Sequence, residues 1–281
     1  MCYDVENKNL MKKYFFLAGL PRSGNTLFSA ILNQNPDVMV SANSFLNAQL
    51  YYTNNFKYSE HYFNFPDSRS LDNLISSTFD SYYKDWDAKY IIDRGPWGVP
   101  FNLKLLKEYL NNEIKIVVTV RDIVQIIASY IKTSPEYLRK RLEHQVDTGA
   151  RFEDLYKPEV QRFCELITEP AGHLDHYLFS LGTLCQEENR KYLHIVEYKD
   201  LVNDPKKTIR KVYDFLDIPR FDHNFKEIQD FNVVGLKYND KNVFSSNMHE
   251  VKPSIQRPNY KLRDILPQYL IDRYSNREFW R

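Results

Sequence analysis

Residues 14–34 contain the side chains of this sequence that are best placed to bind an anion. An apolar run over 14–18 predicts a buried strand, and apolar residues recurring at i, i+3 and i+4 from Leu27 onward predict a helix. The first turn of a helix has N–H groups without partners in the helix and carries the positive end of the helix dipole. A strand, a short turn and a helix in this order therefore predict an anion site.

The turn between these two elements adds groups suited to phosphate. Gly24 lets the main chain approach a ligand closely because it has no Cβ. Ser23 and Thr26 are expected to add hydroxyl donors, and Arg22 offers paired N–H groups to an anion. The alternative is an ordinary connection between a strand and a helix. A chain with only eight glycines places two of them here, which favours the binding site.

The spacing of this turn is close to that of a nucleotide-binding loop, with one difference. It follows the pattern G-x-x-x-x-G-N-T, whereas a Walker A loop has G-x-x-x-x-G-K-[ST]. Asn25 occupies the position of the lysine that reaches the phosphates, and the basic residue has moved back to Arg22. This pattern argues against hydrolysis of ATP or GTP with magnesium, but not against phosphate binding.

Residues 21–27, PRSGNTL, resemble the 5′-phosphosulfate loop of the sulfotransferases, P-[KR]-S-G-[TN]-T-[WL], and the surrounding run resembles the tyrosylprotein and prokaryotic branch most. In that family the loop binds the 5′ end of 3′-phosphoadenosine 5′-phosphosulfate (PAPS). The resemblance implies a P-loop-like fold with PAPS as the cofactor. The cofactor-binding residues that it implies in this loop are Pro21, Arg22, Ser23, Gly24, Asn25, Thr26 and Leu27.

A second motif follows the most strongly apolar strand of the chain. Residues 114–120, IKIVVTV, are rich in β-branched residues, as expected of a central parallel strand. Arg121 comes at the carboxyl end, where ligands bind in open α/β sheets, and Ser129 follows eight residues later. A 3′-phosphate needs a bidentate arginine and a hydroxyl donor. The pattern R-D-x(6)-S-Y also resembles the 3′-phosphate site of the family.

Asp93 and Arg94 follow a third predicted strand, at 90–92. Sulfotransferases commonly have D-K-x-P-W at this point, with the lysine touching the sulfuryl group, and Arg94 stands in its place here. The resemblance therefore implies two catalytic residues, Arg22 for the leaving 5′-phosphate and Arg94 for the sulfuryl group. Without the resemblance, a surface arginine at a strand end is the simpler interpretation of Arg94.

Two further segments extend the resemblance towards the C-terminus. Residues 193–219 resemble the family's Y-E-D-L…D-P segment, whose tyrosine packs near the adenine, and Tyr198 is the corresponding residue. A tyrosine at the edge of the core is the alternative. Residues 249–254 resemble the segment that closes over the cofactor, which implies a phosphate contact for Lys252. We expect a structural role for His249.

The base that deprotonates the acceptor is not identified by the sequence. The tyrosylprotein branch carries G-E-E after its P-D-V, and one of these glutamates is assigned as the base. Residues 41–44 read SANS here, so that glutamate is missing and a tyrosine acceptor is in doubt. Asp93 and His61 remain as candidates. The acceptor stays open between a small molecule, a glycan and a peptide.

We expect one α/β domain over residues 1–281, because no repeat or low-complexity linker divides the chain. The predicted fold class is a P-loop-like parallel sheet of about four to five strands flanked by helices. A helical insertion is predicted at 134–190, and the segment 249–281 is predicted to close over the cofactor and end in helices.

Three local expectations concern the regions between the motifs. Residues 41–70 have no clear period and predict loop and short helix. A helix is predicted over 71–84, with Leu74 on its buried face. In the helical insertion, Phe179, Leu181 and Leu184 are predicted to be core residues. One or two terminal helices are expected over residues 260–281.

The composition argues against several classes of protein. The formal net charge is +1, from 38 basic and 37 acidic residues, so a general attraction to nucleic acid is not expected. Cys2, Cys164 and Cys185 fit neither a disulfide framework nor a metal site, and we expect reduced thiols and no metal. No apolar run approaches about 18 residues and the first residues lack an apolar signal region. We therefore expect no membrane span and a cytoplasmic location.

Together, the motifs predict a sulfotransferase that moves a sulfuryl group from PAPS to a hydroxyl or amine without a metal. The resemblance covers 14–40, 90–131, 193–219 and 249–254, in the order of the family. The alternative is a P-loop nucleotide kinase or a catalytically silent nucleotide-binding module. Asn25 in place of the lysine counts against that alternative.

Overall fold

A single parallel sheet organises the chain. The structure is a computed structural model that describes residues 12–110, 113–147, 157–238, 240, 249–257 and 259–281. In this part of the chain, five strands pair in parallel in the order β2-β3-β1-β4-β5. The strands are β1 (Lys13–Leu17), β2 (Val38–Val40), β3 (Tyr90–Arg94), β4 (Ile116–Val120) and β5 (Leu193–Glu197). The predicted fold class, a P-loop-like parallel sheet of four to five strands flanked by helices, is confirmed.

The strand order fixes where a ligand can bind. β1 is central, and the chain first builds one side of it with β2 and β3 and then crosses to the other side with β4 and β5. Connections that leave a parallel sheet in opposite directions open a crevice outside the carboxyl ends of the strands. The motifs after β1, β3 and β4 all lie at this edge.

Helices cover both faces of the sheet. Short 3₁₀ turns lie at Phe56–Tyr58, Arg190–Tyr192 and Leu262–Asp264. None of the helices in the described ranges is long and apolar enough to cross a membrane. The α-helices are α1 (Asn25–Leu32), α2 (Leu46–Asn55), α3 (Glu60–Asn64), α4 (Ser68–Ser76), α5 (Thr78–Tyr82), α6 (Pro100–Tyr109), α7 (Ile123–Thr133), α8 (Pro135–Asp147), α9 (Glu159–Thr168), α10 (Asp175–Cys185), α11 (Tyr198–Asn203), α12 (Pro205–Leu216) and α13 (Gln268–Tyr274).

Strand β4 shows why the sheet is stable. All five of its residues are buried, and their side chains alternate between the two faces. Val118 packs in the larger of two apolar clusters, and Val117 packs in the cluster on the other face, which α1 and α12 complete. Burying each such side chain contributes roughly 1.5–3 kcal/mol. The run of β-branched residues predicted from the sequence is therefore the centre of both cores.

Of two local predictions about secondary structure, one is confirmed and one is wrong. Residues 41–70 form loop and short helices, as predicted, and the longest helix that lies within them is α2, with ten residues. The predicted helix over 71–84 is broken at Ser77 into α4 and α5, and Leu74 is 58% exposed. The buried stripe instead runs through Ile75 and Phe79, one helical turn apart, which leaves Leu74 to the side.

The region 134–190 is helical where it is described, with α8, α9 and α10, while 148–156 lie outside the described residues. Leu181 and Leu184 are buried, as predicted. The prediction for Phe179 is wrong, because its side chain is 58% exposed. Phe179 lies two positions before Leu181, about 200° away around the helix. Among the cysteines, Cys164 and Cys185 are free thiols and Cys2 lies outside the described residues.

A buried carboxylate ties β3 to the helices beside it. Asp93 is completely buried and accepts hydrogen bonds from Ser44 Oγ at 2.8 Å, from Trp97 Nε1 at 2.7 Å and from the hydroxyl of Tyr83. Burial raises the pKa of Asp93, whereas these three donors oppose that shift. Asp93 thus has a structural role at the end of β3, just before Arg94.

Removing one donor from this carboxylate should destabilise the fold. For Tyr83→Phe we expect the free energy of unfolding to fall by about 1–3 kcal/mol, because a buried acceptor loses a partner without gaining water. The measurement is urea unfolding followed by circular dichroism. Tyr52→Phe, at a side chain that is 71% exposed, is the control and should change stability by less than about 0.5 kcal/mol. Equal stabilities of the two variants would contradict the role given to Asp93.

Candidate functional site

One cleft of about 920 Å³ opens at the carboxyl edge of the sheet. Every strand contributes a residue to its wall, at the strand end or shortly after it. These residues are Arg22 after β1, Ala42 after β2, Arg94 at the end of β3, Arg121 after β4 and Tyr198 after β5. The cleft therefore lies where the strand order predicts a ligand site.

The turn after β1 presents main-chain donors to this cleft. Arg22 and Gly24 have positive φ angles of 60° and 89°, and Gly24 is the N-cap of α1 without any side-chain cap. The intrahelical bonds of α1 begin with the N–H of Phe28, which donates to the Gly24 carbonyl. The N–H groups of the first turn precede that bond and have no partner within the helix. This is the main-chain arrangement that binds anions.

Two polar side chains of the turn face inward and fasten it to β4. Ser23 is fully buried, with its Oγ 2.9 Å from the carbonyl oxygen of Thr119 and 2.7 Å from its hydroxyl. Asn25 donates to the Leu20 carbonyl at 2.7 Å and accepts from Thr119 Oγ1 at 2.7 Å. The expectation that the Ser23 hydroxyl donates to a ligand is corrected, because that hydroxyl is used inside the protein. Thr26 and Pro21 do line the cleft.

The tyrosine after β5 packs directly on the turn. A Cβ added at Gly24 would lie 2.7 Å from Cδ2 of Tyr198, closer than real contacts allow. The Tyr198 ring also lies 4.5 Å from the guanidinium carbon of Arg121. Tyr198 therefore joins the loop after β1 to the arginine after β4, at a flat aromatic wall of the cleft.

The arginines and the serine predicted from separate motifs meet at one place. Arg22 Nε donates to Ser129 Oγ at 3.2 Å. Arg121 Nη1 donates to the carbonyl oxygen of Arg22 at 3.0 Å, and its Nη2 donates to the hydroxyl of Tyr260 at 3.1 Å. Burial lowers the pKa of Arg22, and the neighbouring Arg121 charge acts in the same direction. Two positive charges are thus held close together in a partly desolvated place.

Arg94 stands apart from this pair on the same wall. Its main-chain N–H donates to Ser41 Oγ at 2.8 Å, and its Nη1 donates to the hydroxyl of Tyr238. Tyr238 in turn donates to the carbonyl oxygen of Ala42 at 2.7 Å. In the described part of the chain, neither Arg94 nor Arg121 takes part in an ion pair with a carboxylate. Within the described residues, no carboxylate therefore neutralises the charge of either arginine by direct pairing.

The profile of the Sulfotransferase family matches residues 15–223, about three quarters of the chain. The chain belongs to the sulfotransferase family. It is a transferase, and the group that it moves is a sulfuryl group. Nothing favours the kinase alternative. A search of curated proteins gives no match.

Several solved structures are similar to this sulfotransferase at low sequence identity. The sulfotransferase domain from the curacin biosynthetic pathway is 17% identical, with a TM-score of 0.49, over 89% of this chain and 93% of that one. The sulfotransferase domain of the Synechococcus PCC 7002 olefin synthase is 17% identical, with a TM-score of 0.46, over 75% of each chain. Mouse sulfotransferase SULT7A1 complexed with PAP is 15% identical, with a TM-score of 0.42, over 75% of this chain and 61% of that one.

The cleft of this sulfotransferase is strongly basic. Lys252 lines it and is exposed, and its contact with a phosphate stays a prediction. No group of three or more metal-binding side chains is found in the described ranges. Among the described residues that line the cleft, the cationic ones are Arg22, Arg94, Arg121, Lys132, Lys237, Lys252 and Arg257, and the acidic ones are Asp240 and Glu250.

The sequence did not point to several residues of the cleft. Tyr238 and Tyr260 enter the site through hydrogen bonds with Arg94 and Arg121, and Asp240 enters it through its contacts with His249. Both candidate bases named from the sequence lie elsewhere. Asp93 is in the core, and His61 is an exposed residue of α3 that is not among the described residues lining the cleft.

The contact between Gly24 and Tyr198 can be tested separately from backbone strain. Gly24→Ala should lower the free energy of unfolding by more than the roughly 1–2 kcal/mol that a left-handed backbone costs a non-glycine residue. Gly235→Ala is the matched control, because Gly235 has φ +78° and an added Cβ there meets nothing within 4 Å. Adding Tyr198→Ala to Gly24→Ala should recover part of the extra loss. If both glycine variants lose equal stability, the packing of Tyr198 on Gly24 is not what requires glycine.

Proposed function

We propose that this sulfotransferase takes its sulfuryl group from PAPS and transfers it to a hydroxyl or amine acceptor. The observation that carries the proposal is the convergence of Arg22, Arg121 and Ser129 beside the N-terminus of α1, with Arg94 lining the same cleft. A ligand with anionic groups at two separate positions fits such an arrangement. The family membership supports this choice of donor.

The residues divide between the two ends of this donor. We assign the 5′-phosphosulfate to the first turn of α1, to Thr26 and to Arg22, where main-chain N–H groups and a guanidinium act together. We assign the 3′-phosphate to Arg121 and Ser129, which both form hydrogen bonds with Arg22. The ring of Tyr198, stacked on Arg121, offers an apolar face to the adenine.

The same arrangement accounts for the chemistry of transfer. When bound, PAPS supplies a sulfur activated for attack by its phosphosulfate bond. We assign to Arg22 the charge that grows on the departing phosphate oxygen, and to Arg94 the charge on the sulfuryl oxygens. Preorganised cations in a partly closed cleft can stabilise such charge without a divalent metal. The acceptor enters from the open side of the cleft, where Phe45 is 74% exposed.

The test of this function is a transfer assay with sulfur-labelled PAPS. The acceptors are a phenol, an amino sugar and a tyrosyl peptide. Each acceptor is assayed with and without excess chelator. The control contains PAPS and water without any of these acceptors. We expect labelled product from at least one acceptor, and equal rates in chelator. Absence of binding of the bisphosphate product, PAP, by calorimetry would overturn the proposal, and preferential binding of ATP with magnesium would return the kinase alternative.

Binding should depend on the 3′-phosphate through Arg121. For Arg121→Ala we expect PAP to bind about 2–3 kcal/mol more weakly, because a charge-assisted pair is removed. AMP, which lacks the 3′-phosphate, should bind wild type and variant almost equally. Calorimetry measures all four affinities. Arg210→Ala, at an exposed arginine of α12 away from the cleft, is the control and should bind PAP normally. Equal binding of PAP and AMP by the wild type would contradict the assignment.

Arg94 should affect turnover more than affinity. For Arg94→Ala we expect turnover to fall roughly 10²–10³-fold, the scale for one preorganised donor that acts mainly in the transition state. The affinity for PAP should change little, because PAP lacks the sulfuryl group. Arg94→Lys should recover part of the rate, since it keeps the charge but not the fork of the guanidinium. Single-turnover rates and calorimetry decide the matter. Normal turnover in Arg94→Ala, or parallel losses of rate and PAP affinity, would return Arg94 to a structural role.

A further inference from the structure

A histidine and a carboxylate that line the basic cleft are paired with each other. His249 Nδ1 lies 2.6 Å from Asp240 Oδ1, and the main-chain N–H of His249 donates to Asp240 Oδ2 at 2.8 Å. Asp240 is only 6% exposed. A carboxylate accepts hydrogen bonds, so Nδ1 carries the proton and Nε2 is the basic nitrogen of the neutral ring. The two contacts fix the position and the tautomer of the imidazole.

The same ring is close to the residue assigned to the sulfuryl group. His249 stacks on Tyr238, with ring centroids 4.1 Å apart and planes 10° apart. The hydroxyl of Tyr238 accepts from Arg94 Nη1. His249, Asp240, Tyr238 and Arg94 all line the cleft. One aromatic ring therefore separates the imidazole from the guanidinium of Arg94.

The surrounding charges favour the neutral form of this imidazole. Burial lowers the pKa of His249, Asp240 raises it, and Arg94 and Arg22 lower it again, with a net shift below the ordinary range of histidine. Lys237, Glu250 and Lys252 are further charged residues that line the same cleft in the described part of the chain. A histidine that is neutral at neutral pH can accept a proton.

We propose that His249 is the base that deprotonates the acceptor and that Asp240 is its positioning residue. This inference rests on the proposed function. Nε2 takes the proton of the acceptor O–H or N–H while the acceptor atom forms its bond to sulfur. The bond between sulfur and the bridging phosphate oxygen breaks, and that oxygen keeps the electron pair beside Arg22. The proton on Nε2 then passes to solvent.

This assignment supplies a function that the segment after β2 lacks. Residues 41–44 hold no carboxylate, and in the structure Ser41 and Ala42 instead bind the main chain of Arg94 and the hydroxyl of Tyr238. The base thus comes from a part of the chain far from residues 41–44 but lines the same cleft. The earlier expectation of a purely structural His249 does not account for its place beside Arg94.

The test compares three variants by their pH profiles for PAPS turnover. Turnover of PAPS is measured with phenol as the acceptor and, for comparison, with water alone. Wild-type turnover should fall as the pH drops through the pKa of His249, because the protonated ring cannot accept a proton. His249→Gln should lower turnover 10²–10⁴-fold and abolish this acidic limb. Asp240→Asn should retain the limb but move it to lower pH, since the carboxylate favours the protonated ring. His223→Gln is the control, at a histidine that contacts Tyr213 outside the cleft, and should keep the wild-type profile.

Two measurements that do not depend on turnover distinguish a failure of the proposed function from a failure of the role given to His249. Histidine NMR should show one ring that titrates below the ordinary range, shifts on addition of PAP, and disappears in His249→Gln. Calorimetry should show that His249→Gln binds PAP within about twofold of the wild type. If the wild type does not bind PAP, the proposed function fails with this inference. If PAP binds and His249→Gln keeps the rate and the acidic limb, or loses rate, PAP affinity and thermal stability together, His249 is not the base.

Discussion

The site depends on holding two positive charges together at a place with little water. Arg22 and Arg121 repel each other, and burial weakens the screening that solvent would provide. Neutral oxygens are among the groups that hold them there: the hydroxyls of Ser129 and Tyr260, and the main-chain carbonyl of Arg22 itself. Among the described residues that line the cleft, cationic side chains outnumber acidic ones, so the cleft has a positive potential that a ligand phosphate can satisfy. Binding and the stability of the loop are thus parts of one electrostatic arrangement.

That arrangement is possible only because hydrogen bonds to strand β4 fix the loop after β1. In a Walker A loop the residue at the position of Asn25 reaches the phosphates, but here Asn25 turns inward and joins Ser23 on Thr119 of β4. The loop is therefore shaped by the sheet before any ligand arrives, which is the condition for effective stabilisation of charge. The basic side chain of the loop can then come from Arg22, whose positive φ directs it to the side of Ser129.

The two sides of the cleft differ in origin and in chemistry. The strand ends provide the cations Arg22, Arg94 and Arg121 on a rigid sheet. The later chain provides Tyr238, Asp240 and His249, which combine an aromatic stack with a carboxylate and an imidazole. Cations on one side can stabilise the departing group, and a neutral imidazole on the other can activate an acceptor. The contact between Arg94 and Tyr238 connects the two sides.

The parallel sheet, the loop after β1 and the arginines at the strand ends could be predicted from the amino-acid sequence. Those features depend on local patterns: β-branched runs, glycine at a turn, and charged residues directly after a strand. Three outcomes became visible only in the folded chain: Ser23 and Asn25 face β4, Phe179 and Leu74 are exposed, and His249 pairs with Asp240 beside Arg94. Such outcomes depend on contacts between residues that are distant from each other in the sequence. A local pattern carries the direction of a strand or helix, but not the identity of the partner that packs against it.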